Sequence, residues 1–313
     1  MASPNLSEII TTTLRNRSKS LADNVTNHNA LLRRLSENGN ISTVTGREIV
    51  RELEYASNGT VGFYSGYETL DVSPSDVLTS ATFSYKQMAG NVTISGLEQI
   101  QNSGTEAIIN LLESRIGVLE KTMSNTLSTS LYSDGTGSSG KEVGGLQLIV
   151  ADAGSGTVGG INSSTYTFWQ NAQTTATSSA FSTTNIQADM NTIYLSLVRG
   201  ADSPDLIMAD TNAYKSFLGS LQAIQRVTSD RVATSGFTSV QYLNSDVIFD
   251  DACPTNKMYF LNTDYLRLEV AANRNFVPGE AKMSVNQDAM VTPMFWSGNL
   301  TCSNRALQGV IHT

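Results

Sequence analysis

The sequence predicts an α+β protein built on one long helix, and three observations carry that reading. Ile109, Leu112, Ile116, Leu119, Met123, Leu127 and Leu131 recur at spacings of three or four, which marks a continuous amphipathic helix over 105–132. Ahead of it, 41–95 shows extended, Gly-broken and aromatic texture without a helical period. Behind it, helical and short apolar strand segments alternate from 186, then give way to a β-rich tail.

Each element follows in order. Ile9, Ile10, Leu14, Leu21, Val25, Leu31, Leu32 and Leu35 give 5–36 an interrupted helical face, ended by "ENGN" at 37–40. "ISTVTGREIVRELEYA" reads as a strand and a turn of helix. "ATFSYKQMAGNVTIS" alternates and resumes after Gly90, so two extended segments flank the turn region "VSPSDV". This excursion has too few aliphatic residues for a core of its own and must rest on another surface. The long helix meets "SDG" at 133–135, where Gly135 suits a left-handed cap. A helix laid across a sheet fits better than a coiled coil, because Thr122, Ser124, Asn125, Thr126, Ser128 and Thr129 flank the stripe. Farther on, "LQLIVA" reads as a buried strand, "IQADMNTIYLSLV" as a helix and "DLIMA" as a short buried strand. "TNAYKSFLGSLQ" reads as a helix capped by Thr211. "VQYLNSDVIFD", "KMYFLN" and "YLRLEVA" read as strands, and Pro293 and Gly298 interrupt the apolar tail.

Composition narrows the function. Of 313 residues only 15% are charged, and Ser, Thr, Asn and Gln carry the polar balance. Hydroxyls and amides cost less to bury than charges, so such a surface suits large contacts. The net charge of −8 excludes general nucleic-acid binding. Yet Arg15, Arg17, Lys19, Arg33 and Arg34 against Glu8 and Asp23 give the first 36 residues a net +3. That stretch is either a solvated helix face or an arm that meets a negative surface. Cys253 and Cys302 read as small buried residues rather than a disulfide framework. No signal-like or membrane-spanning run is present, so a soluble, cytoplasmically made protein is expected.

Two nucleotide motifs fail on context. Gly135 to Lys141 matches G-x-x-x-x-G-K, but a helix precedes it and Glu142 stands where Ser or Thr would hold magnesium. "GSGTVG" at 154–159 lacks a following helical stripe and an acidic residue about 20 positions on. The glycines read as turn residues with positive φ. His28 and His312 lie near the termini, which disfavours a histidine triad or zinc site. Glu48, Glu52 and Glu54, and Asp250 with Asp251, read as solvated surface. No catalytic, cofactor or metal residues are predicted, and the protein is not expected to be an enzyme.

"LESRIGVLEKTMSNTLSTSLYSDG", "GGLQLIVAD", "PDLIMAD", "SLQAIQRVTSDR", "MYFLNTDYL", "NQDAMV" and "NLTCSNRALQGV" together resemble a group of HK97-fold major capsid proteins of tailed double-stranded DNA bacteriophages. The resemblance runs from about Gly46 to Ile311. It implies an N-terminal arm over 1–40, the start of a P-domain over 41–54 and an extended β-hairpin E-loop over 55–95. The P-domain would continue over 96–185, with a spine helix at 104–132. An α/β A-domain would occupy 186–265, and C-terminal strands over 266–313 would return to the P-domain. It also implies assembly into hexamers and pentamers of an icosahedral shell around packaged DNA, inside a host bacterium. The partners it implies are a portal, a decoration protein and either a separate scaffolding protein or none. Tyr64, Tyr67, Lys86, Leu119, Arg15, Arg17 and Lys19 would be assembly residues. An encapsulin-like nanocompartment shell is the alternative on the same fold.

Overall fold

The computed structural model describes residues 30–101, 111–222, 240–284 and 286–313. Most of the expected 5–36 helix, including Arg15, Arg17 and Lys19, lies outside these residues, as do 104–110 of the long helix.

A short helix, Ala30–Glu37, buries Leu31 and Leu35 and stops ahead of Gly39, whose φ is +71°. Four strands follow: β1 (Ile41–Val44), β2 (Ile49–Glu54), β3 (Leu78–Phe83) and β4 (Lys86–Ser95). A helical turn, Gly96–Gln101, and the long helix, Leu111–Ser130, come next. The middle of the chain holds β5 (Thr157–Val158), β6 (Ile161–Asn162) and β7 (Ala172–Thr175), then the helix Ile186–Leu197. Beyond it lie β8 (Leu206–Ala209), the helix Thr211–Gln222, β9 (Val240–Tyr242), β10 (Ser245–Phe249), β11 (Lys257–Leu261) and β12 (Leu266–Ala271). β13 (Val277–Pro278), β14 (Lys282–Met283), β15 (Ala289–Cys302) and β16 (Gly309–His312) close the chain.

Two six-stranded sheets organise these elements. In the first, β1, β12, β15 and β13 run in order, and β4 and β14 also pair with β15. The β4–β15 ladder is antiparallel and continuous from Ala289↔Ser95 to Gly298↔Lys86. The long helix lies on this sheet through Leu119, Met123 and Leu127, as an apolar stripe on a half-polar helix requires. The second sheet has the order β7-β16-β11-β8-β10-β9. Its β8 is buried at all four positions, and Met190, Ile193 and Phe217 of the two helices pack in the same cluster. β7 and β16 join this sheet from outside 186–265, so both chain regions flanking that segment help to hold it.

Four readings of the secondary structure need correction. "GREIVRELEYA" contains no helical turn: 49–54 is a strand with Ile49 and Leu53 buried. "LQLIVA" is a single helical turn, Leu146–Ile149, docked at the end of the long helix by Leu146 N donating to Leu131 O at 2.7 Å. A four-residue apolar run cannot reveal its own period. Pro293 and Gly298 do not break the tail, because β15 runs through both. Finally, Asp210 rather than Thr211 caps the 211–222 helix, its Oδ1 accepting from Ala213 N at 2.8 Å.

Candidate assembly surface

β2 and β3 form an antiparallel hairpin from Ile49↔Phe83 to Glu54↔Leu78. Alternation puts Ile49, Leu53, Ala81 and Phe83 inward and Val50, Glu52 and Glu54 outward. Arg51 points inward as well and roots the hairpin on the first sheet. Its guanidinium pairs with the buried carboxylate of Glu269 and donates to Thr301 Oγ1 at 3.3 Å. Glu269 also accepts from Ser42 Oγ at 2.8 Å. Glu269 is desolvated and Arg51 only partly so, and the cost of taking the carboxylate out of water offsets much of what the pair adds to stability. On the other side of the hairpin Thr82 N donates to Gly159 O at 2.9 Å. Gly159 has φ +59°, and a Cβ there would collide with Ala81, so this close approach requires glycine.

Beyond the bond from Tyr55 N to Val77 O, the chain leaves the ladder and forms a loop over 56–76. The loop holds itself with side chain–to-backbone turns. Asn58 Oδ1 accepts from Thr60 N at 3.0 Å and from Ser75 Oγ across the loop at 3.0 Å. Asp71 accepts from Ser73 N and Oγ, which holds its carboxyl below the usual range. No residue of 56–76 is buried, and among the described residues no core lies beneath. Val61, Phe63, Tyr64, Tyr67 and Val72 are all exposed, Phe63 and Tyr67 fully so. A concentration of large apolar side chains in water on one excursion marks a contact surface. The loop is also acidic: from Glu52 to Tyr85 the chain has five carboxylates and no Lys or Arg.

The predicted assembly residues fall in different places. Tyr64 and Tyr67 share the exposed loop. Lys86 begins β4, where its Nζ donates to Gly140 O at 2.5 Å. Leu119 is half-buried against β4 and supports the sheet rather than the surface. Sequence reading missed Phe63, Val61 and Val72, although all three stand in a stretch with too few aliphatic residues for a core of its own, and it missed the Arg51–Glu269 root.

The G-x-x-x-x-G-K segment is a tight turn in which Ser138, Ser139 and Gly140 have φ of +52°, +60° and +76°. The Glu142 carboxylate lies against Gly137 and accepts from Ser133 Oγ at 2.8 Å, so an anion, not an anion site, fills the loop. Glycines 154, 156, 159 and 160 all have positive φ and shape the β5–β6 turn region. Among the described residues no group of three or more His, Cys, Asp or Glu side chains is placed to hold a metal ion. Glu48, Glu52 and Glu54 are exposed. Asp250, read as solvated surface, is instead fully buried, because the Ala30–Glu37 helix and the end of the long helix close over it. Both cysteines are free and buried, and burial pushes the Cys302 thiol up to about 12.

No protein-family model and no curated protein matches this chain. Solved structures do. The capsid of cyanophage A-1(L) is 16% identical, with a TM-score of 0.74 over 99% of this chain and 98% of that one. The capsid of Myoviridae phage XM1 is 10% identical, with a TM-score of 0.61 over 100% and 99%. The SrpI encapsulin of Synechococcus elongatus is 9% identical, with a TM-score of 0.63 over 96% and 91%. The chain therefore has the HK97-type α+β fold of virus and nanocompartment shells across nearly its whole length.

Proposed function

We propose that this chain is the major capsid protein of a tailed double-stranded DNA bacteriophage, a structural protein that assembles into capsomers and an icosahedral shell. The observation that carries the reading is the 56–76 loop, whose aromatic side chains have no partner within the described residues of their own chain. A self-assembling shell supplies that partner from a neighbouring copy. The near-full-length likeness to phage capsids supports the same reading. In this reading 1–40 is the N-terminal arm, 55–95 the E-loop, 96–185 the P-domain with its spine helix, 186–265 the A-domain and 266–313 the returning strands. Tyr64 and Tyr67 make intersubunit contacts. The arm residues Arg15, Arg17 and Lys19 meet acidic subunit surface or packaged DNA. Scaffolding protein, portal and decoration protein are the expected partners, the host cytoplasm the place of assembly, and no catalysis is assigned. The encapsulin likeness sustains a second reading, a protein-filled nanocompartment.

Replacing 58–75 with a short Gly/Ser turn tests the proposal. β2, β3 and the bond from Tyr55 to Val77 are retained, so circular dichroism and the thermal midpoint should stay near wild type, while electron microscopy should show no closed shells. Intact shells, or global unfolding, would refute the loop's role. Nucleic acid inside purified wild-type particles supports the phage reading; packaged enzyme supports the nanocompartment.

A further inference from the structure

A cleft of about 380 Å³ opens at the root of the hairpin, between β3 and the segment from Gly159 to Phe168. Tyr55, Tyr166 and Phe168 line it together with Asp76 and Leu78. Phe168 is the hub of the aromatic group, with its ring centroid 5.6 Å from that of Tyr55 and 6.4 Å from that of Tyr166, the latter edge-on. Tyr166 is half exposed, so the group is open to a visitor. Asp76 is exposed, and among the described residues nothing donates a hydrogen bond to its carboxylate. Among the described residues no Lys or Arg lines the cleft.

Aromatic faces beside a carboxylate, with no resident cation, are the elements that recognise a cationic side chain. Ring quadrupoles attract the charge, and the carboxylate pairs with it. A guanidinium suits such a site best, because it stacks and hydrogen-bonds at once. An anionic ligand would be repelled by Asp76.

We infer that this cleft receives a basic side chain from the N-terminal segment of a neighbouring copy, with Arg15, Arg17 and Lys19 as the donors. These three cations fall within five residues and have no acidic residue among them, whereas the hairpin from Glu52 to Tyr85 carries only carboxylates. Ten residues lie between Lys19 and Ala30, so the basic side chains can sit as far as about 40 Å from the described part of their own chain. The inference rests on the shell reading for its neighbouring copy.

The test uses the full chain carrying Arg15→Gln, Arg17→Gln and Lys19→Gln as the receiver, so that its own segment does not compete. The probe is a fluorescent peptide of residues 2–24, with the same peptide bearing the three Gln substitutions as control. Saturable binding of the basic peptide is expected. It should weaken at least tenfold when the receiver also carries Asp76→Asn or Tyr166→Leu, and the Gln peptide should not bind. Unchanged affinity in both receivers, or equal binding of the Gln peptide, would overturn the inference. Electron microscopy of the wild-type chain separates the two ideas. Shells together with unaffected peptide binding sink the cleft alone. Cleft-dependent binding without shells sinks the shell reading alone.

Discussion

Leu119 of the long helix lies directly on Gly90 of β4, so closely that a Cβ at position 90 would force the Leu119 side chain to shift. Gly90 pairs with Met294 of β15, which is itself buried, and Met123 Sδ flanks the same spot. The glycine is thus where the helix seats on the sheet. Gly90→Ala should overpack the seat and cost about 1–3 kcal/mol, a drop of several degrees in thermal midpoint. Leu119→Ala should cost a similar amount through lost burial. The double substitution should be less damaging than the sum, because alanine at 119 vacates the space that alanine at 90 needs. Melting of the four proteins checks this. Strict additivity would show that the helix does not seat at Gly90.

Asp250 yields a pH prediction with a definite sign. Its buried carboxylate accepts from Leu31 N at 3.2 Å, Tyr132 Oη at 2.9 Å and Ala252 N at 3.0 Å. Burial raises its pKa above the ordinary 3.8, and these hydrogen bonds only partly oppose the shift. The folded chain therefore holds this proton more tightly than the unfolded chain. The stability so gained is full below about 3.8 and is lost as pH rises through the higher folded value. Asp250→Asn cannot titrate, and its amide turns a donor toward a donor, so it should be less stable than wild type throughout. The gap between the two should be widest in acid and should narrow as pH rises. Denaturant unfolding between about pH 3 and 7 measures it; a gap that widens with pH would contradict the assignment.

Much of this architecture is legible in the sequence because it rests on period. The stripe through Met123, Leu127 and Leu131 is buried as spacing requires, and the helices 186–197 and 211–222 and strand β8 stand where apolar pattern places them. What misleads is short or long-range. "LQLIVA" is too short to show a period, and its helical turn is dictated by Leu131 O, a contact across 15 residues. Pro293 looks like a breaker but sits within a continuous ladder with Asn91 of β4, a partner about 200 residues away. The hairpin loop is legible for the opposite reason: with so few aliphatic residues it cannot form a core of its own. Its root was not, because Arg51 and Glu269 are ordinary surface residue types until the fold brings them together.

Arg305 is the strongest case of a residue the sequence conceals, since nothing in "CSNRALQG" sets it apart. It is fully buried, with no carboxylate partner among the described residues. Its guanidinium instead donates to four oxygens: Ile149 O at 2.5 Å, Trp169 O at 3.0 Å, Asn171 Oδ1 at 2.9 Å and Ser163 Oγ at 3.4 Å. Burial lowers its pKa to about 10, so it remains charged at neutral pH. The planar fork ties the 146–149 turn, the β5–β6 region and the Trp169 segment to the chain just ahead of β16. Lysine keeps the charge but is a single point with three donors on a flexible stem, and cannot span these oxygens. Arg305→Lys should therefore cost about 2–4 kcal/mol. Arg305→Met should cost more, by leaving several buried acceptors unpaired. Arg267→Lys, at an exposed position, should change stability by less than about 0.5 kcal/mol. Thermal unfolding of the three variants decides the matter. Equal midpoints for Arg305→Lys and Arg267→Lys would mean that charge alone, and not the fork, holds this junction.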